Sequence, residues 1–521
     1  MSDIEQLPRL HPDRLDALPQ AVRRPRYPRE GLRAGIVHLG IGAFHRGHQA
    51  EINEAAIEAG HEAGDASALH WGIVGVSLRH ADTRDALKPQ HGLYTLALRS
   101  AEAKTLQVIG TVLDVLVAEE DPDAVLARLA HPDTRIVSLT VTEKGYCHDP
   151  ASGALNRADA GIAADLAGTA PPVTAIGYLA RGLRRRMAEG RGPVTLLSCD
   201  NLASNGDTLR RVLLAFCAEV DAALHDWVAD HCTFPNTMAD RIVPRTTPDD
   251  VAQVSGALGL YDAWPVIGEP FFQWVIEDRF AAGRPRWEAG GAQFVTDAKP
   301  FEILKHRLVN GSQSMMAYMG VLAGWPTTDR VIAQPAVRTF IAATMADETR
   351  PTLPPLPGLD LDAYAASLLT RFGNPALGHR ARQIAMDGSQ KIPQRLLAPI
   401  RDRLAAGLPF PRLALGVAAW LHFLRGYDES GNAFVIEDPL AQALAAVMAD
   451  AARQTENVFD ARTRERTRVR IIAGFAPVFG NLAQSDVFVD AVAGQLETLC
   501  AHGVTGALAR VNGAGRADAV A

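Results

Sequence analysis

The chain of 521 residues has an apolar fraction of 47%, a charged fraction of 21% and a formal net charge of −7, which indicates a globular protein with more than one domain. Charges of both signs are spread along the sequence, which argues against the basic stripe of a nucleic-acid-binding protein, and no apolar run reaches the roughly eighteen residues of a membrane span. The five cysteines form no C-x-x-C pair and the N-terminus has no secretory signal, so we expect a cytoplasmic protein without structural zinc that acts on a small molecule.

The N-terminal part of the sequence predicts an arm followed by an α/β domain. Residues 1–32 are rich in Pro, Arg and Asp without apolar periodicity, which is typical of an arm that packs on the surface or stays mobile. Over residues 33–295, short apolar runs alternate with helical patterns, which predicts a mostly parallel sheet covered on both faces. The predicted strands are 34–42, 71–78, 107–117, 135–141 and 194–198, and the predicted helices are 46–59, 121–130, 172–189 and 204–228.

The composition and periodicity of the sequence change near the Gly-rich stretch AGGAQFVTDAKP, where we place a domain boundary at about residue 295. The segments that follow are long, rich in Ala, Leu and Arg, and helical in period, which predicts a mostly α-helical second domain over residues 296–505. Residues 506–521 are small and polar, which predicts a flexible tail. The sequence leaves the oligomeric state open.

A glycine-rich turn follows the first predicted strand, in LGIGAFHRGHQA. Gly40 and Gly42 allow the backbone to approach a dinucleotide pyrophosphate, and a helix follows, which is the arrangement that such a cofactor requires. His45 stands in place of the third glycine of G-x-G-x-x-G, so a glycine turn without a ligand remains the alternative. Phe44 and Arg46 lie in the same turn and are predicted to contribute to the cofactor site, Arg46 through a charge-assisted contact with phosphate or, alternatively, as a solvated helix-start arginine.

The end of the second predicted strand bears on the choice between NAD and NADP. NAD-preferring proteins place an acid there for the adenosine ribose, whereas this strand ends in Ser77, Leu78 and Arg79, with Asp82 beyond. Arg79 is suited to stack on adenine or to attract a 2′-phosphate. We expect NAD as the cofactor, and the sequence leaves NADP open.

The segment FEILKHRLVNGSQSMMAYMG carries the residues best suited to chemistry. On an α-helix at about 100° per residue, Lys305, Asn310 and Gln313 fall within an arc of roughly 140° and can face one cavity. A desolvated lysine can accept a hydroxyl proton, and an amide can donate to the oxygen that gains negative charge. The alternative is a lysine that snorkels from an amphipathic helix beside a helix irregularity.

These and further segments resemble the long-chain polyol dehydrogenases, the mannitol dehydrogenase family, which includes fructuronate reductase, tagaturonate reductase and arabinitol dehydrogenase. The resemblance extends over nearly the whole chain from residue 36 to about 480. The segments that carry it are IVHLGIGAFHRGHQA, HGLYTL, SLTVTEKGY, LLSCDNLASNGDTLR, FPNTMADRIVP, GEPFFQWVIED, KHRLVNG and QIAMDGSQKIPQR.

The resemblance implies a Rossmann-type N-terminal domain, a mostly helical C-terminal domain and an active site without zinc. By position, Lys305 matches the family's general base, and Asn201 and Asn310 match the asparagines that bind the reacting oxygen. Glu143 matches an acid near the proton exit, and Lys391 matches a lysine that contacts the substrate. The residues alone leave simpler roles open: Asn201 as a turn residue, and Glu143 as an ion-pair partner of the neighbouring lysine.

One position departs from the family pattern. Gln313 stands where the family usually has a histidine that orients the substrate oxygen. A glutamine keeps a hydrogen-bond donor but cannot titrate near neutrality, so any pH tuning by an imidazole is lost. A nucleotide-binding regulatory protein without turnover is therefore kept as an alternative of another class.

The substrate candidates differ in charge. A hexuronate carries a carboxylate and needs a cationic partner, preferably a guanidinium, whereas mannitol and fructose do not. Lys391 and Arg395 supply such cations, with further arginines in HRAR at 379–382, and QIAMDGSQKIPQR resembles the fructuronate reductase branch. We therefore predict fructuronate reductase (D-mannonate oxidoreductase) activity, with mannitol 2-dehydrogenase activity on mannitol and fructose as the alternative.

Overall fold

The computed structural model describes residues 3–149 and 153–517. The chain forms two compact units, Met1–Glu302 and Ile303–Ala521. The division lies inside a helix, Lys299–Leu304, slightly beyond the boundary near residue 295 that the Gly-rich stretch suggested. The glycines instead form the turn at Gly290 and Gly291 before a short strand of the first unit.

The described part of the first unit contains three β-sheets. Their strands are β1 Ile36–Leu39, β2 Ile73–Ser77, β3 Tyr94–Arg99, β4 Lys104–Ile109, β5 Val112–Val117, β6 Ile136–Leu139, β7 Val194–Ser198, β8 Cys232–Thr233, β9 Thr237–Asp240, β10 Val266–Gly268, β11 Gln273–Glu277 and β12 Gln293–Val295. The largest sheet is parallel, with six strands in the order β5-β2-β1-β6-β7-β8. Two small three-stranded sheets, β10-β3-β4 and β12-β11-β9, accompany it.

Helices cover both faces of this sheet, as the alternation of strand and helix patterns predicted. Ile36 of β1 packs into a core that includes Ile52, whereas its neighbour Val37 packs into the core on the other face with Ile176 and Leu209. The helices of this unit are α1 Ala43–Arg46, α2 Gln49–Glu62, α3 Asp82–Leu87, α4 Pro122–Leu129, α5 Ala160–Ala167, α6 Ala175–Ala188, α7 Asn205–Val220, α8 Ala222–His231, α9 Pro248–Leu258 and α10 Lys299–Leu304.

One predicted strand is wrong, because the segment 107–117 forms two strands that belong to different sheets. β4 pairs antiparallel with β3, and β5 pairs parallel with β2. The break falls at Gly110 and Thr111, whose backbone N–H groups donate to Glu54 Oε2 of α2 at 2.9 and 2.8 Å. A buried carboxylate thus takes the hydrogen bonds that a continuous ladder would use.

The N-terminal arm packs against the first unit. Its described residues form short 3₁₀ turns, and Leu10, Leu18 and Val22 are buried with Val254 and Leu258 of α9. The mobile alternative for the arm therefore does not apply to these residues. The composition of the arm hides this packing because its apolar residues follow no regular period.

The second unit is helical in its described part, in agreement with the sequence prediction. One core joins its helices, with Trp420, Leu415 and Phe488 among the most enclosed side chains. π-helical turns occupy Lys305–Asn310, Thr344–Thr349 and Pro393–Leu397. The α-helices are α11 Gly311–Leu322, α12 Thr328–Ile332, α13 Pro335–Ala343, α14 Leu361–Phe372, α15 Ala381–Ala385, α16 Gly388–Ile392, α17 Ala398–Ala405, α18 Pro411–Phe423, α19 Ala441–Gln454, α20 Ala461–Ala473, α21 Ala476–Phe479 and α22 Asp486–Ala517.

The flexible tail predicted over 506–521 differs from the structure over most of its length. α22 continues through this region after a kink at Gly503, and Ala507, Leu508 and Val511 are buried in the core of the second unit. Residues 518–521 lie outside the described residues. Among the helices that the structure describes, none is both long and apolar enough to cross a lipid bilayer.

Glu54 is an unusual carboxyl group, since it is completely buried in α2. It accepts a third hydrogen bond from the hydroxyl of Tyr27 at 2.9 Å, which ties the N-terminal arm to the helix. Burial raises the pKa of Glu54 from 4.5 to about 7. Because the folded state holds this proton more tightly than the unfolded state, the stabilisation is complete below pH 4.5 and is lost as the pH rises to about 7.

We expect Glu54→Gln to flatten this pH dependence. The unfolding free energy of the variant, measured relative to that of the wild type, should rise by up to about 3 kcal/mol between about pH 5 and pH 8, since glutamine needs no deprotonation. Urea unfolding at several pH values measures the shift. Glu62→Gln, at the exposed end of the same helix, is the matched control. Parallel stability profiles of wild type and Glu54→Gln would show that this carboxyl group does not titrate in this range.

Candidate active site

The glycine turn after β1 requires glycine at one position and leaves space at another. Gly40 has φ +88°, and a Cβ atom there would lie 2.2 Å from the carbonyl oxygen of Thr140. Gly42 is extended, and a Cβ atom there would meet its nearest atom, the oxygen of Gly40, at 3.8 Å. Gly40 therefore lets β1 and β6 approach each other, and Gly42 keeps the space above the turn open.

A cleft of about 1150 Å³ opens in front of this turn, within the first unit. It lies at the carboxyl ends of the central strands β1, β2 and β6, where parallel α/β sheets bind their ligands. The turn Gly40–Gly42, the segment Ser77–Arg79 after β2 and the segment Thr140–Thr142 after β6 contribute to its walls. Arg79 is exposed and lines the cleft, as a cofactor-binding residue must.

Two stacked histidines support the turn from below. His38 of β1 pairs through Nδ1 with the Ser138 hydroxyl and through Nε2 with the Thr140 hydroxyl, each at 2.8 Å. The ring of His45 stacks on it with centroids 3.5 Å apart. Burial lowers the pKa of His38 to about 3, so the ring is neutral at physiological pH. The described residues contain no group of three His, Cys, Asp or Glu side chains that could hold a metal ion.

Two further residues of the turn, Phe44 and Arg46, are not among the residues that line this cleft. The buried guanidinium of Arg46 donates to the carbonyl of Trp264 at 2.7 Å and lies over the ring of Tyr94. Arg46 borders a second cavity of about 560 Å³ that shares Gly42 and Trp264 with the cleft. The Phe44 ring stacks on a neighbouring histidine. Their proposed contacts with the cofactor therefore stay predictions.

Asn201 and Glu143 belong to the first unit and follow β7 and β6 respectively. Asp200, which directly precedes Asn201, is a residue that the sequence alone does not single out. Its carboxylate accepts the backbone N–H groups of Val141 and Thr142 at 3.0 and 2.8 Å and thereby fixes the loop that carries Glu143. A carboxylate directly after a buried strand and next to Asn201 is the sequence signal that points to it.

In the second unit, Lys305, Asn310 and Gln313 are all buried, with 7%, 7% and 8% of their surfaces exposed. The segment that joins the first two is a π-helical turn, not the α-helix assumed from the sequence. An α-helix separates residues five apart by roughly 140°, whereas π-helical i→i+5 hydrogen bonds bring them nearly one above the other. The structure thus aligns Lys305 and Asn310 more closely than the sequence argument requires.

The two carboxamides are connected. Asn310 Nδ2 donates to Gln313 Oε1 at 3.2 Å. Asn310 Oδ1 is buried and accepts no hydrogen bond from the described residues. Burying such an acceptor costs free energy unless a ligand or water donates to it. This oxygen is therefore suited to accept a hydrogen bond from a hydroxyl group of a polar ligand.

A second π-helical turn, Pro393–Leu397, passes close to the first one. Gly311 makes this approach possible, because a Cβ atom there would already lie 3.1 Å from the carbonyl oxygen of Arg395. The Arg395 side chain is 5% exposed and donates from Nη1 to the Ser314 hydroxyl at 3.0 Å. Arg395 is therefore built into the same part of the second unit as Asn310 and Gln313.

Positive charge collects in this region. Burial lowers the pKa of His306 well below its usual range, and the nearby positive charges of Lys305 and Arg395 lower it further. The ammonium group of Lys391 donates to the carbonyl of Met386 at 2.6 Å and, more weakly, to that of Ile384 at 3.4 Å. A neutral His306 beside two cations is the environment that an anionic ligand would favour.

The predicted site residues thus form two groups. Gly40, Gly42 and Arg79 border the cleft of the first unit, and Asn201 and Glu143 lie after its strands. The second unit contains the other group, which consists of Lys305, Asn310, Gln313, Lys391 and Arg395. Their roles in catalysis and binding stay predictions.

Comparison with known proteins places the chain among sugar and polyol dehydrogenases. It is 42% identical over 487 residues to D-mannonate oxidoreductase of Escherichia coli, which is 92% of this chain and 96% of that protein. It is also 42% identical over 458 residues to mannitol 2-dehydrogenase of Pyrenophora tritici-repentis, 86% of this chain and 80% of that protein. The structure of Pseudomonas fluorescens mannitol 2-dehydrogenase in complex with NAD and D-mannitol is similar, with a TM-score of 0.88, 37% identity, and coverage of 96% and 99% of the two chains.

Two family models cover most of the sequence. Residues 34–289 match the mannitol dehydrogenase Rossmann domain, and residues 297–500 match the mannitol dehydrogenase C-terminal domain. These matches confirm the fold class predicted from the sequence, a Rossmann-type domain followed by a helical one. The protein belongs to the mannitol dehydrogenase family.

Proposed function

We propose that this protein is an NAD-dependent dehydrogenase that interconverts an aldonate with its ketohexuronate, with D-mannonate oxidoreductase (fructuronate reductase) activity as the lead assignment. The observation that carries the proposal is the buried group Lys305, Asn310 and Arg395 in the second unit. It combines a base for the hydroxyl proton, an amide for the hydroxyl oxygen and a guanidinium for the carboxylate, which are the groups that the oxidation of a hydroxy acid requires. A cytoplasmic location stays a prediction from the sequence.

The cleft of the first unit fits NAD. Gly42 leaves open the space that a pyrophosphate needs, because only an atom at 3.8 Å faces its missing side chain. The volume and the position of the cleft at the carboxyl ends of the central strands agree with a dinucleotide site. When bound, NAD accepts a hydride from the carbinol carbon of the substrate.

Within the second unit, each residue has a distinct task. Lys305, in its neutral form, accepts the proton of the reacting hydroxyl. Asn310 holds the oxygen of that hydroxyl through its carboxamide. Gln313 fixes the Asn310 side chain through the hydrogen bond at 3.2 Å. The roles of Asn201 and Glu143, which belong to the first unit, stay predictions from the family resemblance.

The charge of the second unit favours a substrate with a carboxylate. Arg395 brings positive charge close to His306, and a guanidinium binds a carboxylate through two parallel hydrogen bonds. Lys391 supplies a further cation nearby in sequence. A second candidate, mannitol 2-dehydrogenase activity, is favoured by the similarity to the Pseudomonas fluorescens enzyme, whose structure contains D-mannitol.

A substrate panel tests the assignment. Purified protein is mixed with NADH or NADPH and with fructuronate, tagaturonate or fructose, and the loss of reduced-cofactor absorbance is followed. We expect the highest kcat/KM with fructuronate and NADH. A higher value with fructose would establish the mannitol assignment, and no turnover of any ketose or ketohexuronate would support a nucleotide-binding regulatory protein.

Gly42→Val tests the cofactor cleft. Gly42 has extended backbone angles, and a Cβ atom there meets no clash, so the variant should fold. Its branched side chain should fill the space above the turn and raise the Kd for NAD at least tenfold, measured by calorimetry. Gly192→Val, at an exposed position with open space around it, is the control. Equal affinity in both variants would mean that the phosphates bind elsewhere.

Lys305→Ala should lower kcat by about two to four orders of magnitude, because the hydroxyl loses its general base. Single-turnover kinetics with and without a small external amine measure the loss and its partial recovery. Lys299→Ala, an exposed lysine at the start of α10, is the control and should keep wild-type rates. Near-wild-type turnover of Lys305→Ala would remove this residue from the mechanism.

Arg395→Gln separates the two substrate candidates. Glutamine retains a donor for Ser314 but loses the charge, so KM for a ketohexuronate should rise by at least tenfold while KM for fructose changes little. Arg401→Gln serves as the control, since Arg401 donates to the carbonyl of Phe479 in the same unit. If both KM values rise equally, Arg395 has a structural role and does not read the carboxylate.

A further inference from the structure

Asp200 connects the end of β7 to the loop after β6. Its Oδ2 atom accepts hydrogen bonds from the Val141 N–H at 3.0 Å and from the Tyr146 hydroxyl at 2.7 Å, and its Oδ1 atom accepts from the Thr142 N–H at 2.8 Å. The Tyr146 side chain is completely buried. One carboxylate thus binds both ends of the segment 141–146.

The backbone of this segment needs such support. Thr142 has φ 62° and ψ 166°, a combination that only glycine adopts readily. Threonine is β-branched, and its side chain makes no capping hydrogen bond here. The conformation therefore depends on surrounding contacts, among which are the hydrogen bonds from the Val141 and Thr142 N–H groups to Asp200.

The supported loop is a wall of the cofactor cleft. Thr142, Lys144 and Gly145 line the cleft, and Glu143 lies between them in the sequence. The start of the loop is tied to the glycine turn, because the Thr140 hydroxyl donates to the Gly40 carbonyl at 2.8 Å. A change of backbone conformation at Thr142 would therefore move this wall relative to the turn. Asp200 itself lines no part of the cleft in the structure.

We propose that Asp200 is a positioning residue that holds the loop 141–146 in the conformation that binds NAD. The inference rests on the proposed function only in that NAD is the ligand of the cleft. Asp200 acts through the backbone of Val141 and Thr142 and not by contact with the cofactor. The carboxylate form is required, because a protonated carboxyl group loses acceptor capacity toward its three donors.

The ionisation of Asp200 sets the pH at which its role can be tested. Burial, together with the negative charge of Glu143, raises the pKa of Asp200 to about 6, and its hydrogen bonds oppose this rise. At pH 8 the group is therefore a carboxylate that can accept from all three donors.

Asp200→Asn tests the inference through binding and not through turnover. At pH 8 the Kd for NAD, measured by calorimetry, should rise at least fivefold, and hydrogen exchange of the peptide that contains Val141 and Thr142 should become faster. Wild-type affinity and wild-type exchange in Asp200→Asn would overturn the inference.

A double variant separates positioning from a general loss of stability. Glycine adopts positive φ without a side-chain penalty, so Thr142→Gly combined with Asp200→Asn should recover part of the NAD affinity. An equally weak double variant would contradict the role assigned to Thr142. If Asp200→Asn does not fold, Tyr146→Phe, which removes one of the three donors to Asp200, should show the same two changes to a smaller extent. Their absence would overturn the inference.

Glu54→Gln is the matched control, because Glu54 accepts hydrogen bonds from the same kinds of donor as Asp200. These are two consecutive backbone N–H groups and a tyrosine hydroxyl, at 2.8 to 2.9 Å, and neither Gly110 nor Thr111 lines the cleft. The control should change stability and leave the Kd for NAD unchanged. Failure of the proposed function has a different signature: the wild type would bind NAD, and Asp200→Asn would bind it more weakly, but neither would reduce a ketohexuronate or ketose.

Discussion

The first unit depends on the close approach between Gly40 and the Thr140 carbonyl. This approach brings the ends of β1 and β6 together, and any side chain at Gly40 would overlap that carbonyl. The hydrogen bonds of His38 to Ser138 and Thr140 hold the same two strands in register just below the turn. The cleft, the glycine turn and the loop after β6 all inherit their positions from this pair of strands.

The second unit uses helix irregularity for a comparable purpose. Its π-helical turns at Lys305–Asn310 and Pro393–Leu397 pass each other at Gly311, where a Cβ atom would make a tight contact with the Arg395 carbonyl oxygen. Such turns align residues five apart and are frequent at functional sites. They place a lysine and an asparagine on one line and bring a buried guanidinium to the same region, which suits an alcohol that also carries a carboxylate.

Buried carboxylates that accept consecutive backbone N–H groups recur in both units. Glu54 interrupts a strand in this way, Asp200 supports a strained loop, and Glu348 accepts the N–H groups of Arg412 and Leu413 at the start of α18. In each case burial raises the pKa of the carboxyl group. The backbone hydrogen bonds oppose this rise, since they favour the ionised carboxylate.

The sequence by itself determined the alternation of strands and helices, the helical second unit and the family, because apolar periodicity and contiguous motifs are local properties of a chain. It also identified Lys305, Asn310 and the glycine turn as candidate residues. Tertiary structure alone decided the break at Gly110, the packing of the arm and of α22, the π-helical geometry at Lys305, and the role proposed for Asp200. Each of these depends on contacts between residues distant in sequence, such as Glu54 with Gly110 or Asp200 with Thr142, which no local pattern encodes.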